Sequence, residues 1–384
     1  MPISTLLTEV TLPKLLTVNI AGKTISPDDL ILVEFADDFF TFGTQGIITI
    51  RDSYSFANSK DITFDGNTPV TISCIDYQKF RYAWSFTITD MQVSPANRAN
   101  LLTFTICDPF YYKLSNLYIS KSFSGTITDA FSSIIGQYKL DTLLKTSKRN
   151  LTVESGGENK KFVFSSNRSV LDTILFEFRL ANLRIWQDNE NVYVKEFKVS
   201  DAKDVTSKQG TVKYSNIAFN NTYMFKIHDM KKRNFSRSNM VAFAPVQEVV
   251  RFKNKELITD TVNLSDFYSS MCLNSDKTFA TMQDTTGKKF SIRVDSLEAQ
   301  KFDLFNTFIR NEELDIVIPG SIEHNQLGYI ANVELGERSQ YSKATTLGDR
   351  KSSGRYLITR VHNRFLNSAF MTKLRLSRFD SQKV

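Results

Sequence analysis

Apolar and polar positions alternate with a period of two through the first third of the chain. Leu15–Ile20 alternates around Thr17 and Asn19 and runs into a turn at Gly22. Residues 30–35 form an apolar run ended by Asp37 and Asp38, and residues 46–51 form a further strand that closes at Asp52. A turn at Asp65-Gly66-Asn67 leads into a strand over 69–75. Two longer runs, 81–91 and 100–107, flank the turn signal Ser94-Pro95-Ala96-Asn97. Alternation sends successive side chains to opposite faces, so these runs predict strands with one buried and one wetter face. To about Tyr118 strands are expected throughout, arranged as an antiparallel barrel or sandwich.

The period then changes. Ile127, Ala130, Phe131, Ile134 and Ile135 recur at helical spacing, with Gly136 as the stop. Residues 145–161, polar and containing Gly156-Gly157, predict a loop around a short strand. A second helix over 169–182 carries Leu171, Ile174, Leu175, Phe178 and Ala181 on one face, with Ser169 as its N-cap. A hairpin follows, 183–187 and 191–197, about the turn Asp188-Asn189-Glu190. Strand-like text returns over 211–231, with Asn220-Asn221 as a turn, and residues 238–290 mix strands with polar loops. A third helix over 296–311 has the stripe Phe302, Phe305, Phe308 and Ile309. Residues 314–318 run apolar into Pro319-Gly320. The last hairpin, 355–365 and 370–379, turns at Asn367-Ser368.

Composition fits this pattern. At 384 residues the chain exceeds one ordinary core, so two to four domains are expected. The 31 Phe and 14 Tyr suit half-buried sheet surfaces. Cys74, Cys107 and Cys272 are odd in number and widely spaced, which predicts buried free thiols in a reducing compartment. The first 16 residues lack the basic-then-apolar order of a signal peptide, and no stretch approaches the ~20 apolar residues of a membrane span. A soluble protein made in the cytosol is expected. A net charge of +7 is compatible with an acidic partner and falls short of a nucleic-acid signature. The densest basic run, Lys231-Lys232-Arg233 with Arg237, reads as a solvated loop rather than a phosphate site.

Candidate chemistry is sparse. Neither a Gly-rich phosphate loop, nor H-E-x-x-H, nor a G-x-S-x-G elbow occurs. His228, His324 and His362 are isolated, so no metal site is expected, and no cofactor-binding or catalytic residues are assigned. Asp37-Asp38 between strands and Glu312-Glu313 at a helix end read as solvated punctuation. A hydrolase would need two carboxyls held about 5–10 Å apart across a cleft. The aromatic run Phe39-Phe40-Thr41-Phe42 is open to two roles, core packing or contact with a partner. Pro109-Phe110-Tyr111-Tyr112 reads as an interdomain seam. On the first strand of the last hairpin, Tyr356, Ile358, Arg360, His362 and Arg364 are expected on one face. Leu357, Thr359, Val361 and Phe365 fall on the other. On the second strand Leu374 and Leu376 oppose Lys373 and Arg375, leaving one apolar and one cationic face.

Three passages carry a resemblance. Residues 354–362, Gly-Arg-Tyr-Leu-Ile-Thr-Arg-Val-His, with 370–378, Phe-Met-Thr-Lys-Leu-Arg-Leu-Ser-Arg, resemble the closing hairpin of the baseplate hub proteins of contractile-tailed phages. That fold family includes the N-terminal half of type VI secretion spike proteins. Residues 314–320, Leu-Asp-Ile-Val-Ile-Pro-Gly, resemble the hubs' strand and turn after a helix, and residues 46–53, Gly-Ile-Ile-Thr-Ile-Arg-Asp-Ser, a strand of their first β-unit. The order of parts matches over nearly the whole chain.

The resemblance implies an α+β, β-dominated fold with two tube-like antiparallel β-barrel domains and α+β insertions. Residues 1–118 would form the first tube-like domain and 119–204 an α+β insertion. Residues 205–237 with 290–380 would form the second, and 238–289 a small inserted domain. It implies a homotrimer whose six similar domains adapt a six-fold tail tube to a three-fold central spike. Its partners would be the spike protein, the tail tube or its initiator, and neighbouring baseplate proteins, with DNA only in transit through the lumen. It implies a place in the virion's tail baseplate. Because the chain ends at Val384, just past the hairpin, the spike is expected to be a separate polypeptide. Candidate interface residues are Phe39, Phe40, Phe42, Arg360, His362, Arg364, Lys373 and Arg375; a solvated outer face is the alternative for the cationic five. Competing functions are a β-sandwich adhesin for host carbohydrate, the hub of a cellular contractile injection device and, third, a cell-wall hydrolase.

Overall fold

The computed structural model of the chain describes residues 15–76, 79–96, 100–199, 202–207, 210–216, 224–234, 246–253, 256–263, 290–293, 297–310, 312–323, 325–337, 347–348, 353–366 and 369–378. Strands dominate them, mostly antiparallel, as expected.

The first unit comprises β1 (Leu15–Ile20), β2 (Lys23–Thr24), β3 (Leu30–Asp38), β4 (Gln45–Arg51), β5 (Pro69–Ile75), β6 (Arg81–Ser94) and β7 (Leu101–Cys107). Their order is β3-β4-β7-β6-β5-β1-β2. Alternation sorts the side chains: Val33, Phe35, Ile48, Ile50, Ile72, Phe104 and Ile106 face one core. A bulge between Ile88 and Asp90 lets the 14-residue β6 pair with β5 at its start and β7 at its end. Cys74 and Cys107 are buried free thiols, and burial pushes both up to about 12. Cys272 lies outside the described residues.

The expectation of strands to Tyr118 fails at Pro109. There α1 (Pro109–Ser115) begins, its Asp108 carboxylate accepting from the Tyr111 N–H with proline at the first position. Phe110 is fully buried beneath it.

The insertion contains β8 (Lys121–Gly125), α2 (Ile127–Gln137), α3 (Asp141–Thr146), β9 (Asn150–Val153), β10 (Lys160–Phe164), α4 (Val170–Leu180), β11 (Arg184–Gln187) and β12 (Asn191–Lys195). Thr126 and Asp129 cap α2 reciprocally, and Ser169 caps α4. Gly136 lies within α2; the reversal comes at Lys139, whose φ is 53°. Phe131, Ile134, Ile174 and Phe178 form the insertion's own core with Phe110.

The remaining elements are β13 (Thr206–Ser207), β14 (Gly210–Thr211), β15 (Lys213–Ser215), β16 (Met224–Lys226), β17 (Asp229–Asn234), β18 (Val246–Lys253), β19 (Glu256–Asn263), β20 (Phe290–Arg293), α5 (Leu297–Ile309), β21 (Glu312–Pro319), β22 (Ile330–Glu334), β23 (Gly336–Glu337), β24 (Leu347–Gly348), β25 (Gly354–Leu366) and β26 (Ala369–Arg378). Two polar runs are strands rather than punctuation. Lys231-Lys232-Arg233 lies in β17, paired with β21, and Glu312-Glu313 opens β21, with Lys232 3.1 Å from Glu312. Lys231 and Arg233 stand opposite Asp315 and Glu313 in the register, and Glu313 is buried rather than solvated. The turns at Asn220-Asn221 and Asn367-Ser368, and also Arg237 and His324, lie outside the described residues.

Strand β25 joins the two β-units. It pairs with β26 along its length; on its other edge it pairs with β22 at residues 354–357 and with β3 at 360–366. One 14-stranded sheet results, and no barrel closes among the described residues. Phe365 and Phe370, stacked at 4.1 Å, belong to the first unit's core. Leu357, Ile358, Leu374 and Leu376 belong to a third core with Phe305, Ile309 and Ile316. Gly320 serves close approach rather than turning: a Cβ there would stand 2.1 Å from the Phe370 ring. Among the described residues no helix is long and apolar enough to cross a membrane.

Candidate functional site

The charged face of the central hairpin gathers five of the eight candidate residues, but not in the alternation expected. A bulge at Thr359 puts Thr359 and Arg360 opposite Arg375. Tyr356 and Ile358 therefore share the core face with Val361, Phe365, Leu374 and Leu376, while Leu357 and Thr359 fall on the face of Arg360, His362, Arg364, Lys373 and Arg375. The Thr359 hydroxyl fixes the bulge, lying 3.2 Å from the Arg375 carbonyl and 3.1 Å from the Ser377 hydroxyl. The bulge thus brings Tyr356 and Ile358 to the face of Val361 and Phe365 and leaves Leu357 on the face of the five cations.

That face is not cationic alone. Strand β3 supplies Glu34 and Asp38 beside Arg364 and Arg360, and β21 supplies Asp315 and Glu313 beside Arg375 and Ser377. Arg375 Nε lies 3.0 Å from Asp315 and 3.7 Å from Glu313, and Lys373 lies 3.5 Å from Asp315. Glu34 sits 3.5 Å from Arg364 and 3.7 Å from His362. The result is a ladder of opposite charges across four strands. Burial holds His362 below the usual imidazole range, with Arg360, Lys373 and Arg364 adding to the shift and Glu34 opposing it.

The aromatic run divides among the cores. Phe39 is buried among Trp186, Phe197 and Phe305, with ring centroids at 5.5, 4.8 and 6.5 Å. Phe42 is buried against Phe110 and Tyr111. Phe40 is half-buried, with the Arg310 guanidinium 4.2 Å above its ring. Gly43, φ 99°, follows them and lies against Tyr111, whose ring a Cβ there would meet at 2.3 Å. Within the chain, Phe39 and Phe42 pack into two buried cores.

Beside this junction lies a polar network that the sequence did not reveal. Arg149 pairs with Asp108 and donates to Gln187 at 2.6 Å, and Gln187 donates to Asp37 at 2.8 Å. Thr44 also donates to Asp37. Asp37 is thus part of β3 and not solvated punctuation; burial raises its carboxyl above the usual range, against the donors Thr44 and Gln187. Helix α5 is pinned to the insertion similarly. Arg184 stacks on Phe302 and Phe305 at 4.0 and 4.3 Å and donates to Asn306 at 2.7 Å, and Arg179 binds Asp303 through two nitrogens. Burial pulls the Arg184 guanidinium down to about 9. No group of three or more His, Cys, Asp or Glu arranged for a metal occurs among the described residues.

No protein-family model matches the sequence, and no curated protein matches it. Its fold does have likenesses among solved structures. A tail protein from Neisseria meningitidis superposes with a TM-score of 0.59 at 10% identity, over 94% of this chain and 96% of that one. The 43 kDa tail protein of prophage MuSo2 from Shewanella oneidensis gives 0.55 at 10% identity, over 95% and 98%. A chain of the Francisella PdpA–VgrG complex gives 0.51 at 12% identity, over 97% of this chain and 59% of that one. From end to end, the chain has the fold of phage tail proteins, a fold shared with a VgrG complex.

Proposed function

We propose that the chain is a structural subunit of a phage-type tail baseplate hub, with no enzymatic activity. Three copies form a ring that adapts a six-fold tail tube to a three-fold central spike, and DNA crosses its lumen only in transit. The observation that carries the proposal is the likeness of fold to two tail proteins over at least 94% of both chains. The joining of two β-units through β25 supports it further, since a trimer of such chains would present six related units. The two tube-like domains would be 1–118 and 205–237 with 290–380, with 119–204 and 238–289 as insertions. Spike, tube or tube initiator, and neighbouring baseplate proteins are its partners, in the virion's tail baseplate. The equivalent hub of a cellular injection device is a second form of the same role, supported by the VgrG likeness.

The test is the absolute mass in solution by light scattering, extended to a mixture with a spike protein encoded beside it. A mass near three times 43.9 kDa is expected for the chain alone, or, once the spike is added, a complex that holds three copies of the chain plus the spike's own mass. A monomer in both preparations would overturn the proposal.

A further inference from the structure

A pocket of about 150 Å³ opens where the β11–β12 hairpin of the insertion meets the turn before β22. Its floor is buried: Trp186, Phe197, Leu327 and Gly328. Gly328, at φ 79°, keeps that floor clear, since a Cβ there would come within 3.4 Å of Trp186 Nε1 and Phe197. Half-buried Tyr193 and Tyr329 form the mouth, with Tyr193 stacked on Trp186 at 5.2 Å. A cavity of about this size holds one aromatic ring.

The rim is basic. Lys195, Lys198 and Lys203 all line it. Lys195 is 3.2 Å from Glu154 and Lys198 is 4.0 Å from Glu196, while exposed Lys203 has no ion pair among the described residues. Carboxylates stand near the mouth as well: Glu154 and Glu196 beside Lys195 and Lys198, and Asp188, which accepts from the Tyr193 hydroxyl at 2.9 Å and from Asn191.

We propose that this pocket docks an acidic segment of a partner protein, anchored by one aromatic ring against Trp186 and held by carboxylates on the lysine rim. Aromatic anchors in buried pockets with charged rims are the usual centres of binding energy. The proposal does not depend on ring assembly and stands or falls separately from it.

The test uses the full chain with Trp84→Phe, which leaves Trp186 as the sole indole of the two. The probe is the tripeptide acetyl-Asp-Phe-Glu-amide, with acetyl-Asp-Ala-Glu-amide and phenylacetate as comparisons. A saturable shift of Trp186 emission is expected below about 1 mM, at least about tenfold weaker for both comparison probes. The exposed variants Lys198→Glu and Lys203→Glu, which leave the core alone, are expected to weaken the tripeptide by about tenfold together. Ala202→Phe, at the mouth, is expected to block it. Calorimetry on the unaltered protein repeats the titration without the Trp84 change. No response, or an equal response to the alanine tripeptide, overturns the proposal. Phenylacetate binding as tightly as the tripeptide also overturns it, assigning a small-molecule pocket instead.

Discussion

At the scale of single residues, the structure invests most in buried charge. Arg149 and Asp108 are almost wholly enclosed, with 7% and 4% of their side chains exposed. Removing one member of such a pair leaves an uncompensated charge, which costs about 3–5 kcal/mol. Arg149→Met is therefore expected to lower the free energy of unfolding by that amount, measured from urea denaturation midpoints; a loss under about 1 kcal/mol would contradict the account. His362 gives the opposite kind of test. Its folded-state pKa lies below the unfolded value, so the folded state disfavours the imidazolium. That contribution is present above the unfolded pKa and is lost as pH falls through the folded one. His362→Gln is expected to shrink the fall in stability between about pH 7 and pH 5, with the wild-type and variant curves converging at neutral pH. Parallel curves would show that the groups facing it (Glu34, Arg360, Arg364 and Lys373) compensate fully.

At the scale of elements, the Thr359 bulge decides which face the cations take. Deleting Thr359 leaves Ile358 and Arg360 on opposite faces and preserves every later position. It removes the bulge, the hydroxyl that meets the Arg375 carbonyl and the Ser377 hydroxyl, and the carbonyl that accepts from the Phe39 N–H at 2.8 Å. Deleting Val361 cannot be absorbed. Either the bulge persists and His362 and Arg364 turn toward the core, or it is lost and Arg360 takes Val361's buried place. The first deletion is expected to fold cooperatively with a loss of about 1–3 kcal/mol, and the second to lose its cooperative transition in circular dichroism. Equal behaviour of the two would remove the bulge from the argument. The bulge also marks where sequence stops being informative. Strands β3 to β7, helices α2 and α4 and the final hairpin follow from apolar period alone, because one face of each is buried. Bulges at Thr359 and in β6 leave no mark in a single strand, since only the partner's register reveals them. Helix α1 did leave a mark, the Asp108-Pro109 cap signal, which the aromatic run after it masked. The salt-bridge ladder was half legible: its cations lie in one hairpin, but Glu34 and Asp315 come from strands far away in sequence.

At the scale of the whole molecule, the cores are not separable parts. Phe365 and Phe370 of the last hairpin fill the core built by β1 to β7, some 260 residues or more from its last strand. Phe39 and Phe42, three residues apart, enter two further cores. Asn189 at the tip of the β11–β12 hairpin donates to the Ile322 carbonyl at 3.1 Å, while its own carbonyl accepts from the Tyr82 hydroxyl. Such ties make partial unfolding expensive, because releasing the hairpin strips apolar cover from one unit while breaking the sheet of the other. The two tryptophans test this directly. Trp84 packs on Phe35 at 4.8 Å in the first unit, and Trp186 packs on Phe39 at the junction. Trp186→Phe and Trp84→Phe each leave one reporter. Urea curves followed by the two indoles are expected to coincide in midpoint and slope once each variant's own stability is set by far-ultraviolet circular dichroism, as one cooperative unit requires. If Trp84 retained native emission after Trp186 had lost it, the first β-unit would hold without the hairpin that bridges to it. The shared sheet would then be a contact between two independent domains, and a ring of such chains would bend at β25.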